Sequence, residues 1–136
     1  ISQLKKINYL VKRKREIGKL YYNLLKDNAH IQIQNLSSSY AKNIFWVFGV
    51  LIKPNSKYSR DLVVKKLLKR NIQTRNFFYP MHMQKIFKKL KIFKKNLKLP
   101  NSEVLSKNGF YLPSGLGITN KEIIYVCNIL NSILKK

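Results

Sequence analysis

A chain of 136 residues is about one domain's worth, and its 45% apolar and 12% aromatic composition, with five Gly and four Pro, excludes a disordered or collagen-like polymer. Twenty-eight Lys and Arg against five acids leave a net charge of +23, yet the longest apolar run, Ile44 to Ile52, is far shorter than the ~20 residues a membrane-crossing helix needs. The chain opens on Ile1 rather than Met, with no charged-then-apolar leader behind it, and we expect it to be part of a longer protein.

In chain order, Leu4, Ile7, Val11, Gly18, Tyr21 and Leu25 recur at helical spacing, with Leu10, Ile17 and Leu24 widening the stripe. The pattern predicts one long amphipathic helix over 2–26, ended by Asp27-Asn28. Its other face carries Lys12, Arg13, Lys14 and Arg15, read as a solvated or interdomain surface. Asn43 to Ile52 is aromatic and β-branched without polar alternation, as in a strand covered on both faces. After Pro54-Asn55-Ser56, Ser59 is an N-cap candidate for a helix with Leu62, Val63, Leu67 and Leu68 inward. Asn71 is expected to close it in the left-handed conformation.

Ile72 to Phe78 reads as a second strand ended by Tyr79-Pro80, Met81 to Leu90 as a short helix, and 91–99 as a Lys-rich connection. Asn108 to Pro113 reads as a third strand and Ser114 to Gly117 as a tight loop. Thr119 with Glu122 makes a capping box for a last helix over 120–134. Together these elements predict a single α+β sandwich, a small antiparallel sheet packed with helices on one side.

Chemistry is scarce. No His, Cys, Asp or Glu spacing fits a zinc site, Met81-His82-Met83 is a poor soft-metal set, and no carboxylate pair could share acid and base work. The Gly115-x-Gly117 turn could receive an anion, but a glycine turn feeding a capped helix explains it as well. Cys127 lies among Ile123, Ile124, Val126 and Leu130 and reads as a small buried hydrophobe; the absence of a disulfide framework suits a reducing compartment. The basic excess is almost all lysine, 23 against five Arg, and is spread along the chain. Lys, Asn, Ile, Tyr and Phe all have A/T-rich codons, so genome bias accounts for much of it. Arginine is the residue that nucleic-acid sites favour. Residues 71–84, N-I-Q-T-R-N-F-F-Y-P-M-H-M-Q, differ from the rest: no lysine, one Arg, one of the two His and three consecutive aromatics.

The order of four segments is familiar: Arg15-Glu16-Ile17, Phe45-Trp46-Val47-Phe48, Ile72 to Gln84, and Leu105 to Thr119 with its Leu112-Pro113-Ser114-Gly115-Leu116. It resembles the C-terminal portion of the DegT/DnrJ/StrS family of pyridoxal-phosphate-dependent sugar aminotransferases, most of all its perosamine-synthase-like branch. Asn71 stands where that family has a helix-ending Gly, Gly18 where it often has Ala, and Lys85 where Pro usually follows His-x-Gln.

The resemblance implies the small C-terminal domain of a fold-type I aminotransferase, with residues 1–26 as the connecting helix, 27–136 as the α+β sandwich, and the large cofactor-binding domain outside this chain. The family's Ser-Phe-His-x-x-Lys-like motif is absent, so no lysine here is read as catalytic and the chain alone is expected to be inactive. The intact enzyme would transfer an amino group, from glutamate, to a keto-sugar nucleotide through pyridoxal 5'-phosphate, as a cytoplasmic homodimer without membrane or nucleic-acid partners. Arg75, Tyr79 and His82 match the part of the family motif that faces the interdomain cleft, and are the candidate substrate-binding residues. Ile72, Phe77 and Phe78 are expected in the core. The bland alternatives are that Arg75 caps a neighbouring element and that His82 satisfies a backbone carbonyl. A stand-alone basic nucleic-acid binder and a noncatalytic scaffold module are the rival readings of the whole chain.

Overall fold

The computed structural model describes residues 2–94 and 96–135. Four antiparallel strands, β1 (Ile31–Ile33), β2 (Phe48–Ile52), β3 (Arg75–Asn76) and β4 (Gly109–Leu112), form one sheet in the order β1-β2-β4-β3. Among the described residues six helices accompany them: α1 (Ser2–Lys5), α2 (Ile7–Leu25), α3 (Arg60–Leu68), α4 (Lys85–Lys89), α5 (Pro100–Asn108) and α6 (Asn120–Ile133). A 3-10 turn spans Met81–Met83.

Alternation along the strands sorts the two faces of the sheet. Phe48, Val50, Ile52, Phe110 and Leu112 are buried, together with Ile17, Tyr21 and Leu25 of α2, Val63 and Leu67 of α3, and Ile123, Val126, Cys127 and Leu130 of α6. This is the core, and it lies between the sheet and α2, α3 and α6, as the α+β reading expects. Tyr21 stacks on Phe48 with ring centroids 4.7 Å apart and donates its hydroxyl to the Pro113 carbonyl at 2.7 Å. Cys127 is fully enclosed, and burial pushes its thiol up to about 12, so it packs as a hydrophobe.

Several local readings hold. Ser59 caps α3 by accepting from the Leu62 N–H, Thr119 and Glu122 form the full capping box of α6, and Asn71 adopts φ 58° after α3.

Others change. The first helix breaks at Lys6, and Leu4 and Ile7 remain 70% and 46% exposed. The second strand begins only at Phe48, because Phe45 turns into a left-handed conformation, φ 52°, and drops its ring onto Gly18. Its N–H is fixed there by Asn43 Oδ1 at 2.7 Å. A Cβ on residue 18 would collide with that ring, which explains glycine inside a helix. On α3, Leu62 and Leu68 point outward. The strand expected over Ile72 to Phe78 shrinks to Arg75–Asn76, since only these two residues pair with β4. Two elements were not anticipated: β1, which pairs Ile31 with Ile52 at the sheet edge, and α5, where Pro100 occupies the first turn.

The basic face of α2 is corrected in part: Lys12 is exposed as expected, but its three neighbours turn back onto the fold. Arg13 donates to the Ile118 carbonyl, Lys14 to Ser114 O at 2.6 Å and Arg15 to Asn43 O at 3.4 Å. These cations clamp the 114–118 loop and the 43–45 turn onto the helix, and partial burial lowers the Lys14 pKa.

Candidate functional site

The candidate residues lie at the far edge of the sheet and in the lobe that follows it. Arg75 pairs with Tyr111 across β3 and β4, so both side chains emerge on the face opposite the core. The centre of that face is made of glycine, Gly49 on β2 and Gly109 on β4. The Phe77 ring lies over both, within 2.9 Å of where a Gly49 Cβ would stand, and stacks on Tyr111 at 4.5 Å and 24°. Gly109 also abuts the Leu105 carbonyl, 2.6 Å from any Cβ there. These contacts give a flat aromatic floor beside Arg75. Among the described residues the Arg75 guanidinium has no hydrogen-bond or ion-pair partner, so the capping role considered from the sequence is not filled here.

His82 behaves differently. Its side chain is 4% exposed, and Nε2 lies 3.0 Å from Glu103 Oε1. The same carboxylate oxygen accepts the Leu99 N–H at 3.0 Å, and these two bonds, the backbone one foremost, hold Glu103 below its ordinary pKa. A carboxylate only accepts, so the proton sits on Nε2 and Nδ1 is the nitrogen left for another partner. The partner of His82 is thus a carboxylate and not a backbone carbonyl. Sequence reasoning missed Glu103; the signal was Pro100 opening a helix with an acid in its first turn.

Around the pair is a cavity of about 700 Å³ lined by His82, Met83, Lys88, Lys94, Phe93 and Leu97 among others. Tyr79, 55% exposed, lies between Arg75 and this cavity in the chain, and its carbonyl accepts from the Gln84 side chain at 3.3 Å. Among the described residues no hydrogen bond joins Arg75, Tyr79 and His82 to one another. Phe78, expected in the core, is 75% exposed, while Ile72 is buried and Phe77 is half-buried.

The same geometry tests the cofactor that the resemblance implies. A Schiff-base lysine must be desolvated to be nucleophilic at neutral pH. No described lysine is buried, and Lys14, the one with a lowered pKa, is bonded to Ser114 O on the other side of the fold. Among the described residues, then, no lysine is withdrawn from water as a Schiff base requires.

The profile of the DegT/DnrJ/EryC1/StrS aminotransferase family matches residues 1–131. The GDP-perosamine synthase of Escherichia coli O157:H7 is 28% identical over 131 residues, covering 96% of this chain and 33% of the relative. That of Vibrio cholerae is 25% identical over 132 residues, covering 97% of this chain and 35% of the relative. The chain thus spans about a third of the length of the curated relatives it matches. Among solved structures, Helicobacter pylori PseC, an aminotransferase involved in the biosynthesis of pseudoaminic acid, superposes with a TM-score of 0.85 at 18% identity. That match covers 98% of this chain and 35% of PseC, and it shows a shared fold. Sequence and fold agree over nearly the whole chain, which belongs to the DegT/DnrJ/EryC1/StrS aminotransferase family.

Proposed function

We propose that this chain is the C-terminal domain of a nucleotide-sugar aminotransferase of the perosamine-synthase kind. The intact enzyme moves an amino group, drawn from glutamate, onto a keto-sugar carried by a nucleoside diphosphate, and works as a cytoplasmic homodimer. The observation that carries the reading is the match to GDP-perosamine synthases along nearly the whole chain. Pyridoxal 5'-phosphate supplies the electron sink for such a transfer. Its lysine and its large domain lie, in this reading, beyond the present chain, which is inactive alone.

The chain's own contribution is binding and orientation. Arg75, exposed and unpartnered among the described residues, holds the anionic part of the substrate through its fork. The Tyr79 hydroxyl and His82 Nδ1 take sugar hydroxyls, with Glu103 fixing the tautomer of the ring. The rival nucleic-acid reading loses ground because Arg13 and Arg15 are engaged by backbone carbonyls of their own fold.

The test is made on the full-length protein. Given a GDP-linked keto-sugar and glutamate, it should release 2-oxoglutarate and the amino sugar. Arg75→Ala and His82→Ala should each lower kcat/KM at least about tenfold. Changes within about twofold would remove these residues from the substrate path.

A further inference from the structure

Residues 85–98 stand apart from the rest of the chain. Seven of these fourteen residues are lysine and none is acidic. Every described lysine among them is exposed, and between the lysines stand Ile86, Leu90 and Ile92, with 53%, 60% and 57% of their surface open to solvent. Its first part, residues 85–92, is preformed: Lys91 takes φ 54° after α4, and the Ile92 N–H returns to Phe87 O at 3.2 Å. The chain thus doubles back into a knuckle that presents aliphatic and cationic groups together.

We infer that this knuckle docks on an anionic lipid membrane, its lysines meeting acidic headgroups while Ile86, Leu90 and Ile92 enter the acyl boundary. Interfacial docking needs no spanning helix, and none of the described helices is long and apolar enough to cross a bilayer.

Charge and side-chain type choose the occupant. The cations call for an anionic partner, and a second copy of this segment would oppose like charge with like. Nucleic acid is the other polyanion, and it is recognised through arginine forks and open aromatic faces. No arginine follows Arg75. The two phenylalanines of the segment, Phe87 and Phe93, are half-buried and turned edge to face on each other, centroids 6.0 Å apart. What remains open to solvent is aliphatic, which hydrocarbon accommodates and a base or phosphate does not.

The test uses the full-length protein and flotation with vesicles of phosphatidylcholine, alone or mixed with phosphatidylglycerol. Binding is expected to the mixed vesicles only, falling as salt is raised. Ile86→Ser, Leu90→Ser and Ile92→Ser combined should weaken binding about tenfold at constant salt, because the apolar insertion is lost. Lys85→Glu, Lys89→Glu and Lys98→Glu combined should abolish it. All six positions are exposed, and circular dichroism checks that the variants fold. Absence of binding to the mixed vesicles overturns the proposal, as it would if the rest of the protein covers the knuckle. Full binding by the triple serine variant also overturns it. So does a single-stranded RNA that binds the wild type as tightly and loses affinity only with the lysine variants, which would identify a general polyanion surface.

Discussion

Tyr21 and His82 are both aromatic side chains with a polar atom withdrawn from water, but they belong to regions built on different principles. Tyr21 sits in a core whose buried hydrophobic members run from Ile17 to Ile72 and resume at Phe110, and α2 is further tied down by Arg13 and Lys14 on the 114–118 carbonyls. Among the described residues His82 is the only buried side chain from 73 to 109, and Glu103 is the partner that holds it. One region rests on apolar burial with backbone capture, the other on a polar pair and one ring laid over two glycines. Regions with few buried apolar contacts open at lower free energy than a core. The contrast teaches that the candidate site belongs to the part of the fold best able to adjust to a ligand.

The comparison can be broken or sharpened by substitution. Phe48→Ala, at a fully buried position, should cost about 4 kcal/mol in urea unfolding, the largest effect considered. A loss below about 1 kcal/mol would deny the core its role. Gly18→Ala should cost about 2 kcal/mol, because its Cβ meets the Phe45 ring and Phe45 is held in a left-handed conformation; a neutral result would mean that the ring moves aside freely. Thr119→Ala removes the acceptor for the Glu122 N–H and should cost about 1 kcal/mol, read as a lowered thermal midpoint.

Acid sharpens the contrast from the other side. Glu103 lies below its ordinary pKa of 4.5 in the folded chain, so its contribution is complete above that value and is lost as pH falls through the lowered one. In the wild type, the protection of the Leu99 amide, its exchange measured against the intrinsic rate at the same pH, should therefore fall as Glu103 is protonated in acid, and in Glu103→Gln that acid step should vanish. Last and smallest, Phe78→Ala should change stability by no more than about 0.5 kcal/mol, since the ring is already in solvent.

Much of the fold was legible because the responsible signals are local. The stripe Ile17, Tyr21, Leu25, the Ser59 cap, the Thr119–Glu122 box and the left-handed Asn71 each depend on neighbours within about one or two helical turns. Asn43 to Val47 failed as a strand because Gly18, far away in sequence, offers Phe45 a notch that a strand would not fill. Residues 72–78 failed because a strand needs a partner, and β4 supplies pairing only for Arg75 and Asn76. Arg75 and His82 could be nominated as chemistry-bearing residues in a lysine-free stretch. Glu103, 21 residues beyond His82, could not be joined to it before the chain folded.

The sequence by itself determined the class of the domain, the caps of α3 and α6, its basic character and, through ordered motifs, the aminotransferase family. Tertiary structure alone decided that Arg13 and Lys14 serve as internal clamps, that His82 is buried on a carboxylate, and that the 85–98 segment exposes aliphatic and cationic groups together. The reason is range. Propensity, capping and periodicity act through covalent neighbours, whereas whether a cation meets solvent or a carbonyl depends on which distant segment the fold brings to it.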